Sequence, residues 1–237
     1  MSESVLIVGA GFGLSFSIAR VCSNEGMKVS LASRNINKLK DASSKINANL
    51  YQCDASKIED VKNLFEQLDA DVGMPNLVIY NPSDRVRGAI SDLDPVAVKK
   101  AVDITSYGAF LVAQQSAKRM IKRGSGSIFF TGASAGVKGF ANSSVFAMGK
   151  FGLRGLAQAL ARELHPQNIH VGHFVIDGGI AKSKDFGGNE NSNDSLLDPD
   201  EIAKTYLDFH KQHRIFGDFC PAFFRVFSVI KTNTQNR

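Results

Sequence analysis

Four apolar residues, Val5, Leu6, Ile7 and Val8, run directly into Gly9-Ala10-Gly11-Phe12-Gly13, and apolar side chains at helical spacing begin at Leu14. A run this short and this rich in β-branched residues reads as a strand with both faces covered. Glycines two apart supply the backbone freedom for a sharp reversal. The helix that follows points its unpaired N-terminal amides back at the turn. Strand, glycine turn and helix in that order call for a crossover connection and a parallel sheet.

The alternation continues along the chain. Strands are expected at 5–8, 29–32, 50–52, 77–80, 127–131 and 170–176, and helices at 14–24, 57–68, 96–122 and 145–164. Such a pattern specifies an α/β fold of the Rossmann doubly wound type, with a mostly parallel sheet of six or seven strands and helices on both faces. At 237 residues and 43% hydrophobic content, one core suffices. Residues 1–214 are read as that domain. Within it, 182–198 is rich in Gly, Asn, Ser and Asp and is expected to be a flexible loop or a lid beside the carboxyl ends of the strands. The tail 215–237 concentrates Phe216, Phe219, Phe223, Phe224 and Phe227, which calls for burial on the domain's own core or on a partner subunit.

Composition narrows the function classes. The net charge of +5 and the pI of about 9.1 come from scattered residues, and the densest cluster, Lys118, Arg119, Lys122 and Arg123, falls near a helix C-terminus, where cations offset the helix dipole. With no interleaved aromatics, nucleic acid is not an expected partner. No stretch offers the ~20 apolar residues of a membrane span, so no membrane association is expected. Cys22, Cys53 and Cys220 suit neither a disulfide framework nor a zinc site. No metal is expected. The N-terminus lacks a basic, cleavable leader, and a reducing cytoplasm is the expected setting.

The glycine turn lets the backbone approach a diphosphate that rests on helix amides, so Gly9, Gly11, Phe12, Gly13 and Leu14 are expected at a dinucleotide. The second strand ends at Ser33-Arg34, where an acidic residue would favour the ribose hydroxyls of NAD(H). A guanidinium there suits a 2′-phosphate instead. NADP(H) is therefore the expected cofactor, with NAD(H) second.

Over about 5–214 the chain resembles the short-chain dehydrogenase/reductase family. Gly9, Gly13 and Ser15 stand at the family's spaced glycines, with Ser15 in place of the last. Asn81-Pro82-Ser83 stands for Asn-Ala-Gly, and Thr105, Gly108 and Phe110 match the fourth-helix motif with threonine for asparagine. The resemblance implies adenine contact at Asp54 and Ala55, and nicotinamide-side contact at Asn81, Asp177, Gly178 and Ile180. Asp177-Gly178 replaces Pro-Gly.

The long helix at 145–164 carries the sharpest departure. In the family a tyrosine four residues before a lysine handles the proton, and a serine thirteen residues earlier polarises the carbonyl. Spacing i to i+4 puts the pair on one face, about 6 Å apart at Cβ. Lys150 fits the lysine role, which includes holding the nicotinamide ribose. Phe146 occupies the tyrosine position and Ala133 the serine position. Phenyl and methyl groups carry no exchangeable proton. Ser134 and Ser144 are the nearest substitute hydroxyls, with Ser143 and Tyr107 further candidates. Two functions compete: an NADP(H)-dependent oxidoreductase acting on a small carbonyl, alcohol or activated alkene with a non-standard proton donor, and an inactive NADP(H)-binding protein with a regulatory or partner-binding role. The resemblance also implies a homodimer or homotetramer through helices 96–122 and 145–164.

Overall fold

In the computed structural model, which describes residues 2–181 and 196–212 and the backbone of 226–230, the first apolar run forms β1 (Ser4–Val8), buried along its whole length. The glycine turn leads into α1 (Leu14–Asn24), then β2 (Lys28–Ser33), α2 (Lys40–Lys45), β3 (Asn49–Gln52), α3 (Ile58–Asp71) and β4 (Leu77–Tyr80). Helix α4 (Pro95–Val102) and helix α5 (Gly108–Arg123) follow, then β5 (Gly126–Thr131), α6 (Ser144–Leu164) and β6 (Ile169–Asp177). The short strands β7 (Gly179–Ile180) and β8 (Leu196–Leu197), α7 (Pro199–Lys211) and β9 (Val226–Ile230) are the remaining described elements.

Seven parallel strands make the main sheet, in the order β3-β2-β1-β4-β5-β6-β9. The order reverses between β1 and β4, so the connections from those two strands leave in opposite directions and open a crevice at their carboxyl ends. Gly9 and Asn81, the residues after these strands, flank it. Alternation along each strand sends side chains to two cores. Leu6, Val8, Val78 and Phe130 pack under α3, α5 and α6, through Phe65, Leu111 and Leu153 among others. Val5, Ile7, Leu31 and Phe129 pack under α1 and α7, through Ile18, Tyr206 and Phe209.

Three features differ from the sequence reading. The expected helix at 96–122 is interrupted by a widened π turn, Asp103–Tyr107. The buried Tyr80 hydroxyl donates to the Ile104 carbonyl inside that turn, so tertiary contact, not local propensity, sets the break. Helix α7 begins at Asp198, whose carboxylate accepts the Asp200 amide at 2.7 Å, with Pro199 in the first turn. Its apolar stripe lies on α1, and Arg20 pairs with Asp200 at 2.6 Å. Finally, the tail contributes β9 to the sheet edge beside β6. Phe216, Phe219, Phe223, Phe224 and most of 182–198 lie outside the described residues.

The basic cluster at the end of α5 is partly engaged internally. Arg119 pairs with Asp69 at 2.7 Å, and Arg123 donates to the Met74 and Pro75 carbonyls at 2.7 and 3.0 Å. No described helix is long and apolar enough to cross a membrane.

Candidate active site

Gly9 sits at φ +81°, a conformation that favours glycine, and a Cβ there would lie 2.7 Å from the Pro82 ring. Its amide and that of Ala10 both donate to the Ala32 carbonyl at 3.0 Å, which locks the reversal to the end of β2. Ser15, in the place of the last glycine, donates to the Gly9 carbonyl at 3.1 Å and accepts from the Asn81 side chain at 2.6 Å. This serine therefore ties the two sides of the crevice together.

Above Gly11 and Gly13 a Cβ would meet nothing within 4 Å, and no side chain caps α1 at Gly13. An open cradle beneath uncapped helix amides fits a diphosphate. Phe12 and Leu14 border it, half-buried and buried.

Ser33 is buried at the end of β2, and Arg34 is exposed just beyond. Asp54 accepts from the Ser56 amide at 3.1 Å and the Ser56 hydroxyl at 2.7 Å. Partial burial raises its pKa, but those hydrogen bonds and the nearby charge of Arg34 outweigh it and hold the carboxyl below its ordinary value. Asp54, Ala55 and Arg34 thus collect on the side of the crevice expected for the adenosine.

Across the crevice, Lys150 is only 2% exposed, and its Nζ donates to the Thr131 carbonyl at 2.7 Å. Burial, helped by the charge of Arg85, pushes its pKa down to about 7. Thr131 is anchored in turn by a 2.9 Å hydrogen bond between its hydroxyl and that of Tyr206. Phe146, one helical turn before Lys150, packs on Ala133 and Ala135, and the lysine Nζ is 5.7 Å from its ring centre. The i, i+4 juxtaposition read from the sequence is present, with apolar surface where a phenol and a serine would meet.

The hydrogen-bond partner of Lys150 is the Thr131 carbonyl and none of the substitute hydroxyls. Ser134 is half-buried in a short helical turn, Ser134–Gly136. Ser144 lines an apolar groove of about 430 Å³ with Ile90, Leu93, Val98 and Met148. Ser143 precedes the first turn of α6. All four tyrosines are committed elsewhere. Tyr51 bonds Asp71, Tyr80 bonds the Ile104 carbonyl, Tyr206 bonds Thr131, and Tyr107 is exposed and stacked on Phe110. Asp177 ends β6, and Gly178 leads to Ile180 in β7, which pairs in parallel with β8 at Leu197.

One residue on the rim was not among the sequence candidates. The Arg85 guanidinium lies over the Phe146 ring, 4.1 Å from its centre. A charged residue a few positions after a strand, at the carboxyl end of the sheet, was the available signal.

A doubly wound parallel sheet with an open phosphate cradle at its switch point, faced by a buried lysine on a long helix, defines a nicotinamide-dinucleotide oxidoreductase fold. The chain belongs to the short chain dehydrogenase family, whose profile matches residues 3–184. It is 26% identical over 182 residues to a 3-oxoacyl-(acyl-carrier-protein) reductase of Bos taurus, covering 76% of each chain. It is 23% identical over 214 residues to carbonyl reductase family member 4 of Xenopus tropicalis, covering 87% of this chain and 90% of that one. A short-chain dehydrogenase from Rhodopseudomonas palustris superposes with a TM-score of 0.78 at 26% identity, covering 96% and 98% of the two chains. An actinorhodin polyketide ketoreductase solved with NADPH shares the fold at 21% identity, with a TM-score of 0.84 over 99% and 98%.

Proposed function

We propose that the chain is an NADP(H)-dependent oxidoreductase that moves hydride to or from a small carbonyl, alcohol or activated alkene without a phenol as proton donor. The observation that carries this reading is Lys150, buried and held on the Thr131 carbonyl opposite an open diphosphate cradle. When bound, the nicotinamide supplies or accepts the hydride.

The chain's own residues divide the remaining work. Amides at Gly11, Phe12, Gly13 and Leu14 receive the diphosphate, with Gly9 shaping the turn. Arg34, beside Ser33, meets the 2′-phosphate, and an exposed guanidinium at that place favours NADP(H) over NAD(H). Asp54 and Ala55 border the adenine, while Asn81, Asp177, Gly178 and Ile180 border the nicotinamide end. Lys150 holds the ribose hydroxyls. Water or a group on the substrate exchanges the proton, so the ~10²- to 10⁴-fold help of a general acid is missing and turnover is slow.

Oxidation of NADPH across ketones, aldehydes and enones tests the reading. Slow turnover that falls further in Lys150→Ala is the expected result. Tight NADPH binding with no oxidation of any of them would overturn it. The second reading, a non-catalytic NADP(H)-binding protein, rests on Phe146 and Ala133 together and then requires that NADPH alter association with a partner.

The same proposal places the protein in the cytoplasm, where Cys22 and Cys53 stay reduced, and pairs copies through α5 and α6. Tyr107, Phe110, Ile121, Met148 and Phe151 expose apolar surface on those two elements and the turn before them.

A further inference from the structure

We propose that Arg85 is the recognition group of the substrate pocket and that the substrate carries an oxyanion, a carboxylate or a phosphate ester, that pairs with it. This rests on the oxidoreductase reading above.

The guanidinium lies over the ring of Phe146, and Lys150 lies over the same ring. A guanidinium over an aromatic face can still offer its planar N–H fork to a bidentate acceptor. No carboxylate among the described residues uses that fork. Even Asp84, the preceding residue, accepts the Arg85 backbone amide at 2.8 Å rather than its side chain. Burial, together with the charge of Arg87, lowers the Arg85 pKa, which marks a cation without a counter-charge. The charge acting on Lys150 is also Arg85's. Arg85 and Lys150 thus bring two basic groups to one aromatic ring, a setting that favours an anionic ligand and disfavours a cationic one.

The loop is held as if to present this residue. The Thr105 hydroxyl accepts the Asp84 amide at 3.1 Å, and the Gly88 amide donates to the Asn142 carbonyl at 3.2 Å, one tie on each side of Arg85. Thr105 is in turn pressed by α6, because a Cβ on Gly149 would lie 2.8 Å from its side chain. Threonine at the position where the family has asparagine thus acts as a positioning residue for Arg85. Two departures from the family pattern, at Thr105 and Phe146, serve one guanidinium: the first fixes the backbone at Asp84, just before it, and the second gives it an aromatic ring to lie over.

The test reads binding without turnover, by calorimetry on protein loaded with NADP⁺, which cannot reduce a ketone, and on the cofactor-free protein. Levulinate is compared with methyl levulinate, and dihydroxyacetone phosphate with dihydroxyacetone. The expected result is about tenfold or tighter binding of the charged member of at least one pair, the scale of a charge-assisted hydrogen bond. The pair that shows the preference identifies carboxylate or phosphate. Arg85→Gln, an exposed change checked for folding by its melting temperature, should erase the preference. Thr105→Val should reduce it, and Thr105→Ser, which keeps the hydroxyl, should restore it. Equal binding of charged and neutral members by the wild type, or a preference that survives Arg85→Gln, overturns the proposal. An anion preference that Arg85→Gln erases, with no NADPH oxidation, would sink the oxidoreductase reading and leave Arg85 as the anion-binding group of the site. Oxidation of neutral and charged carbonyls alike would do the reverse.

Discussion

The Arg85 guanidinium and the Lys150 ammonium both lie over the ring of Phe146, at 4.1 and 5.7 Å from its centre. Each contact of this kind contributes about 0.5–2 kcal/mol, depending on how far the cation is desolvated. The ring thus does a job that a phenyl group can do, holding two like charges close to one crevice.

A hydroxyl restored at this position would feel both charges. In Phe146→Tyr the phenol pKa should fall below its usual value near 10, because nearby cations favour the phenolate. The expected outcome is a gain of about 10²-fold in kcat/KM for carbonyl reduction, the low end of general acid help. A new ionisation in the pH–rate profile should accompany it. Adding Ala133→Ser should raise the gain further, since the two positions pack against each other.

Cofactor preference is expected to turn on one exposed side chain. Arg34→Glu places a like charge beside a 2′-phosphate, and NADPH should bind about 10²-fold more weakly while NADH changes only a few-fold. Titration of cofactor fluorescence measures both.

Lys150 makes stability depend on pH with a definite sign. Its pKa is about 7 in the fold and near 10.5 in the unfolded chain. Between these values the unfolded state binds the extra proton, so the protein gains stability as pH rises. The cofactor-free protein should be about 2 kcal/mol more stable at pH 9 than at pH 7 from this group, and Lys150→Met should flatten the difference. Cys22 and Cys53, whose pKa values burial pushes up from about 9 to about 12, work in the opposite direction as pH passes the lower value, so the contribution of Lys150 is read as the difference from Lys150→Met, in which theirs is the same.

Association should depend on the outward faces of α5 and α6. Phe151 is 44% exposed and Phe110 42% exposed. Phe151→Glu leaves the core untouched and should shift a dimer or tetramer toward monomer in light scattering, with the melting temperature of the monomer little changed.

Much of this architecture is legible in the residues. Every strand from β1 to β6 and helices α1, α3 and α6 lie within a few positions of where apolar periodicity puts them, because each buries a face whose period the chain spells out locally. The start of α7 follows a stretch whose Gly, Asn, Ser and Asp content spells loop, although Asp198-Pro199 is a sound helix start. The π turn has no local signature, since Tyr80 and the packing of α6 create it. Arg85 has no local signature for the same kind of reason. Its meaning comes from Phe146, which the sequence places far away and only the fold brings within 4.1 Å.

The sheet's last strand has a consequence for how the molecule is made. Strand β6, which ends at Asp177, pairs with β5 on one side and with β9 on the other. At translation rates of about 5–20 residues per second, residues 178–225 take several seconds to synthesise. During that interval one edge of β6 is unpaired on the nascent chain, a template for wrong partners. The glycine turn and the cradle beside it emerge early, while β6 stays half-paired until residues 226–230 have followed.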